Sequence, residues 1–389
     1  MRGFSVIRFV PLLLLGLFYG LMVAPPGLYN AEFLVSRGFT VQTAGHMYIF
    51  ASAIGILLLF ILPAMLSRWG ARTVLLRLTM LIGVGSLGLA LFPSHSFTFV
   101  AFLFFMSVQI VVYSLLDFFL EAKVDGFEGV TGRVRGLYLA LVNTAYLAGP
   151  FIAGLVITRL SFSYLYFFAA LMSACFLILI HHVTRGFKDA RYPRITLGYI
   201  MRSIFKNRTV AAILGINFLL QLRYAVIVVY LAVYLHQILG FSIGTIGLMV
   251  SIANIPFIVL QFPLGALGDR WLGEKELLVV GFIMTCTGGF LLAFTPTTSV
   301  PLMTAILMLM FTGAAIIEIM SESYFFKHVK SKDDAHIVAF RMLIPAAYIA
   351  APLLAGAVML VLPMNYNFAA VAAICLLGIP LALSLKDTR

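Results

Sequence analysis

Residues 145–150 read Ala145-Tyr146-Leu147-Ala148-Gly149-Pro150, and residues 347–352 read Ala347-Tyr348-Ile349-Ala350-Ala351-Pro352. The two blocks stand 202 residues apart. The same offset relates Gly38-Phe39-Thr40 to Gly240-Phe241-Ser242, Gly45 to Gly247, Arg68-Trp69 to Arg270-Trp271, and Ala153-Gly154 to Ala355-Gly356. Chance likeness between apolar segments would not hold one register over separated blocks. The chain therefore reads as two related halves, residues 1–184 and 209–389, joined by a basic linker at 185–208.

Between these blocks the sequence is apolar. Hydrophobic residues make up 62% of the chain and charged residues 10%, against about half and about a quarter in soluble domains. That surface suits a bilayer rather than water. A helix needs about 20 apolar residues to cross about 30 Å of hydrocarbon. Twelve stretches qualify, near 8–30, 41–66, 73–92, 97–120, 134–158, 163–183, 209–235, 243–267, 276–295, 301–326, 335–362 and 366–385. The expected fold is all-α and polytopic, with twelve transmembrane helices in two pseudo-symmetric six-helix halves. Arg2 and Arg8 precede the first stretch, which lacks a well-placed small-residue cleavage site and reads as an uncleaved span.

Charge placement sets the expected orientation. The net charge is +12, but the basic residues sit in short segments between apolar runs, which argues against a nucleic-acid partner. All Lys and Arg except Arg37, Arg159 and Arg223 fall on one side of the alternation or at its edge. The positive-inside rule then places both termini in the cytoplasm of a plasma (inner) membrane. Cys175, Cys286 and Cys375 lie apart in apolar runs, with no disulfide or zinc spacing. No catalytic triad, HExxH or nucleotide-binding loop is present, so neither an enzyme nor a cofactor or metal is expected.

The loop between the second and third spans of the second half reads Gly265-Ala266-Leu267-Gly268-Asp269-Arg270-Trp271-Leu272-Gly273-Glu274-Lys275. It resembles the loop signature of the major facilitator superfamily, Gly-x-Leu-x-Asp-Arg-x-Gly-x-Lys/Arg, with one extra residue before the second glycine. The first half matches less well through Pro63, Ser67, Arg68, Gly70 and Arg72, with Ser67 where the family usually has Asp. The Gly149-Pro150 block resembles, in part, a fifth-span motif that the family associates with antiporters. The resemblance implies a secondary transporter working by alternating access. It also implies a cytoplasmic ion-pair lock drawn from Asp269, Arg270, Lys275, Arg68, Arg72, Glu121 and Glu322. Asp117 and Glu121, and Glu318 and Glu322, each stand at i and i+4 on one helix face. Asp117 is expected to pair with Arg68 or Arg72, and Glu318 or Glu322 with Arg270 or Lys275.

Polar residues inside the spans supply candidates for transport. Arg223 sits near the middle of the seventh span, where a charge costs about 2.5–3.5 kcal/mol on insertion scales. It is expected in the central cavity, as an anion site or as a counter-ion for a protonatable acid. Asn217, Gln221 and Tyr224 share another face of that helix. Asn143, Tyr146 and Tyr348 are further cavity candidates, with Gln109, Asn254 and Gln261 either lining the path or bonding helix to helix. Glu318, the deepest acid, and its repeat mate Asp117 are the proton-coupling candidates. Glu32 and His46 lie near the outer face, where they could control access.

The leading expectation is proton-coupled export of a small organic solute. One alternative is a symporter or facilitator for a polar or anionic metabolite anchored by Arg223. Another, of a different class, is a membrane-embedded sensor or enzyme on a transporter fold. The partners expected are a small-molecule substrate, protons and the lipid bilayer, and a monomer suffices.

Overall fold

The computed structural model describes residues 10–124, 131–184, 207–261, 263–264, 273–328 and 334–385. In the first half the helices are α1 (Val10–Gly27), α2 (Asn30–Ser36), α3 (Val41–Trp69), α4 (Ala71–Leu91), α5 (His95–Ser107), α6 (Gln109–Val124), α7 (Thr131–Arg159) and α8 (Phe162–Val183). The second half holds α9 (Arg208–Val233), α10 (Ile243–Ala253), α11 (Ile255–Val259), α12 (Glu274–Phe294), α13 (Val300–His328), α14 (Asp334–Met359), α15 (Tyr366–Cys375) and α16 (Gly378–Leu383). A π-turn, Tyr234–Ile238, extends α9. Among the described residues, 11 helical stretches are long and apolar enough to cross a membrane. The expected eighth span shows a shorter apolar helical stretch, Ile243–Val259, interrupted at Asn254 before Pro256. The linker at 185–208 falls almost wholly outside the described residues.

The repeat in the sequence is a repeat in local structure. Gly38 and Gly240 both take a positive φ, 87° and 75°, which only glycine adopts at low cost. Two residues on, Thr40 and Ser242 cap the next helices: Thr43 N–H donates to Thr40 Oγ1 at 3.1 Å, and Thr245 N–H donates to Ser242 Oγ at 3.2 Å. The chain thus reverses twice by one device, at equivalent points of the two halves.

The halves meet most extensively through α3 with α14 and α7 with α10, and through smaller contacts of α2 with α9, α7 with α11 and α6 with α14. At each of the first two, a glycine from one repeat meets a proline-bearing helix of the other. A Cβ on Gly45 would press on Tyr230 and Pro352, and one on Gly247 would press on the Pro150 carbonyl and Tyr29. Pro150 has no N–H, so the carbonyl of Tyr146 one turn earlier loses its helical partner. Asn254 Nδ2 donates to that carbonyl at 3.4 Å, and Phe151 N–H donates to Ser251 Oγ at 3.0 Å. Backbone groups freed by the proline are satisfied from the opposite half, as a waterless surrounding requires. Asn254 therefore joins helices, one of its two expected roles.

Within the second half α9 is the enclosed centre, more buried than α12, α13, α14 or the α15–α16 stretch. Outward-facing side chains such as Leu57, Ile61, Leu171 and Leu353 are apolar and exposed, as lipid contact demands. Small residues let helices approach: a Cβ at Gly313 of α13 would lie 2.5 Å from the Gly281 carbonyl of α12. Gly313→Val is expected to lower stability by about 1–3 kcal/mol. Gly356→Ala, whose Cβ meets nothing within 4 Å, should leave stability unchanged or slightly raised. Thermal denaturation of the two variants in detergent checks this.

Candidate functional site

Arg223 lies 15 residues from each end of the stretch Arg208–Ile238, about 22 Å of helix either way. It therefore sits mid-helix and does not snorkel to an interface. It is only 2% exposed. Its guanidinium carbon stands 4.4 Å from the Phe311 ring centroid and 5.1 Å from that of Tyr224. Nε, Nη1 and Nη2 are all buried with no hydrogen-bond partner. In this state Arg223 is enclosed between helices and does not open onto a cavity. Asn217 is likewise buried, with Oδ1 unpartnered.

Tyr224 points elsewhere. Its hydroxyl donates to Glu318 Oε2 of α13 at 2.5 Å. The separation of the two polar faces of α9, expected from 100° per residue, is thus realised: one residue goes to aromatic rings and the next to a carboxyl. Phe257 of α11 closes on this corner, 6.2 Å from Tyr224 and 6.4 Å from Phe311 between ring centroids. Tyr146 of α7 is 45% exposed and lies within electrostatic reach of Glu318 and Tyr348. Tyr348 stacks on Tyr48 across the α3–α14 contact, with centroids 5.9 Å apart. Asn143 and Gln221 are half-buried.

Asp117 behaves differently from expectation. Its carboxylate pairs with Arg341 of α14 at 2.7 Å, not with Arg68 or Arg72. Arg341 also lies over the Tyr113 ring, 5.1 Å from its centroid, and within electrostatic reach of Glu322. The pair therefore crosses from one half to the other. The physical reason is direction: Asp117 faces the opposite half, whereas the first-half arginines are engaged at the bundle's edge. Arg72 bonds the His181 Nδ1 at 3.1 Å, while Arg68 and Arg77 lie over the Trp69 ring. In the second half the edge contact is Lys327 with Glu274, at 2.5 Å. Lys275 is half-buried. Asp269 and Arg270 lie outside the described residues, as does the Glu121 side chain.

Glu32 is 2% exposed and accepts from Gln237 Nε2 at 2.6 Å, with His236 Nδ1 at 2.6 Å. Both partners stand on the π-turn that ends α9, so this contact too joins the halves. The Tyr29 hydroxyl adds a bond to the Ile243 carbonyl at 2.9 Å. His46 is exposed.

The structure thus gathers Tyr146, Tyr224, Glu318 and Tyr348 around one interior region, and reaches Asp117 through Arg341. Reading the sequence alone misses Arg341, which groups with the loop charges although it stands inside the expected span at 335–362. It also misses Tyr113, Phe311 and the His236–Gln237 pair. Of these only Arg341 leaves a signal, a charge six residues inside an apolar stretch.

Residues 213–389 match the family model of the Major Facilitator Superfamily. Among solved structures, the crystal structure of the nucleoside transporter NupG aligns over 96% of this chain and 97% of that chain, with a TM-score of 0.74 and 13% identity. At that identity the likeness is one of fold. No curated protein gives a significant match.

The Asp117–Arg341 pair generates a prediction. Asp117→Asn removes the ion pair of Arg341 and should destabilise the protein by about 1–3 kcal/mol, less than a fully buried pair would cost, because both side chains are partly exposed. Adding Arg341→Gln should restore at least half of the loss. Unfolding by titration with SDS reads both, and strictly additive losses would show that the two side chains do not depend on each other.

Proposed function

We propose that this chain is a secondary transporter of the major facilitator superfamily, whose family model matches residues 213–389, and that it exchanges protons for a small organic solute at Glu318. The observation that carries the reading is a carboxyl inside the apolar bundle, held by the Tyr224 hydroxyl beside the exposed ring of Tyr146. An ionisable group at such depth is a functional site by default, because nothing structural requires its cost.

The halves, residues 1–184 and 209–389, rock about the α3–α14 and α7–α10 contacts, with the basic linker at 185–208 tying them. Asp117–Arg341 and Glu32–His236 bridge the halves at different depths. Alternating access breaks and remakes such bridges in turn. The basic loops support a plasma-membrane protein with both termini in the cytoplasm.

Solute choice comes from the lining. Tyrosine rings and carboxyls favour amphipathic solutes that are neutral or cationic, through ring faces and opposite charge. A cationic solute and a proton then compete for Glu318, so one is bound only after the other leaves. Such competition is antiport, and an inward proton gradient directs the solute outward. The reading with Arg223 as anchor for an anion is less favoured, because its guanidinium is enclosed at 2% exposure.

The test uses reconstituted protein in vesicles made acid inside, with an interior pH dye. Adding the lipophilic cation tetraphenylphosphonium should produce dye recovery, and Glu318→Gln should abolish it. Recovery that is undiminished in Glu318→Gln would remove Glu318 from the coupling step. Recovery with organic anions alone would overturn the choice of solute.

A further inference from the structure

We infer that the Glu318 carboxyl has two seats on α9: the Tyr224 hydroxyl, which it occupies in this structure, and the Arg223 guanidinium, which it takes when it has lost its proton. The inference rests on the reading of Glu318 as the coupling group and assigns Arg223 as its positioning residue.

The starting point is an unbalanced charge. Arg223 is 2% exposed, and none of its three side-chain nitrogens has a hydrogen-bond partner. A buried cation is costly unless it is paired and its donors are filled. The guanidinium carbon lies 4.4 Å from the Phe311 ring centroid and 5.1 Å from that of Tyr224, but none of its nitrogens has an acceptor. The fork is positioned and empty, which is the geometry that takes a carboxylate through two parallel bonds.

The groups within electrostatic reach of Arg223 are the Tyr224 phenol, the Cys375 thiol and Glu318. Of these residue types only the carboxyl ordinarily ionises well below neutral pH. Arg341 does not compete, since Asp117 already holds it. Around Glu318 itself stand Tyr224 and Arg223 from α9, Tyr146 from α7, Arg341 from α14, and Glu322 one turn along its own helix. On α12, Glu274 is held by Lys327.

The exchange is balanced simply. The carboxyl O–H bond breaks, its electron pair stays on the carboxylate, and the proton passes to water in the open compartment. Tyr224 keeps its own hydroxyl proton. The Arg223–Glu318 unit changes from a net charge of plus one to neutral. Residues 223 and 224 lie about 100° apart around the helix. Moving the carboxyl from one to the other therefore displaces α13 around α9, not along it. Proton loss becomes a small sliding of two packed helices, the kind of shift that packed interfaces make between discrete arrangements.

The experiment is infrared titration of the full-length protein in lipid bilayers, following the protonated-carboxyl band that Glu318→Gln removes. In Arg223→Gln the midpoint of that band should move by about one pH unit or more toward alkaline pH, a tenfold gain in proton affinity. Arg223→Lys, which keeps the charge, should stay nearer the wild type. In wild-type protein the guanidinium signal lost in Arg223→Lys should change with the same midpoint as the carboxyl band, a readout that survives if Arg223→Gln does not fold. A carboxyl midpoint unchanged in Arg223→Gln, or guanidinium bands that stay still across the carboxyl titration, would overturn the inference. Absence of any band sensitive to Glu318→Gln would instead refute Glu318 as a titrating group, a separate failure.

Discussion

A charge inside an apolar bundle must find a partner, and this requirement organises the interior of the protein. Hydrocarbon offers a stray ion no hydrogen bonds. Asp117 and Arg341 meet the requirement by pairing at 2.7 Å across the two halves. Glu32 meets it with His236 and Gln237 on the far side of the same division. Glu318 is held by Tyr224, and Arg223 is held only by ring faces. Each of the first three has at least one polar partner, and the fourth, Arg223, has none.

The backbone obeys the same constraint. Pro150 frees a carbonyl and disturbs the next amide, and both are taken up by Asn254 and Ser251 of the other half. The pseudo-symmetric contact at Pro352 is made differently, with Tyr48 stacked on Tyr348. One contact between the halves is hydrogen-bonded and directional, while the other rests on ring surfaces. One contact is thus fixed by hydrogen-bond direction and the other by ring shape, with the Asp117–Arg341 pair beside it.

The architecture is legible because local devices repeat with the sequence. Gly38 and Gly240 reverse the chain, Thr40 and Ser242 cap the helices after them, and Gly45 and Gly247 meet prolines. The turns and caps are properties of a few neighbouring residues and are readable from them, whereas the glycine–proline contacts join distant residues and are seen only in the structure. Glu318 is legible as well, since an acid in an apolar stretch announces itself. The helix that each interior group faces is not readable in this way. Spacing fixes the face of one helix but not the helix opposite, so it matches Asp117 to arginines of its own half when its partner is Arg341. A mid-span charge suggests water, and on that ground Arg223 is expected beside a cavity. The rings of Phe311 and Tyr224 supply an alternative environment that no spacing rule reveals. The π-turn at Tyr234–Ile238, which brings His236 and Gln237 to Glu32, has no sequence signature among these residues.

The central claim is that the proton on Glu318 governs the arrangement of the two halves. It is tested most directly by spin-label distances between α6 and α14 at the depth of the Asp117–Arg341 bridge, measured in bilayers from acid to alkaline pH. The account predicts that the distance distribution moves between two populations with pH in the native chain and stays in the acid population in Glu318→Gln. The same pH-dependent shift in Glu318→Gln, or a distribution that ignores pH in the native chain, would contradict it.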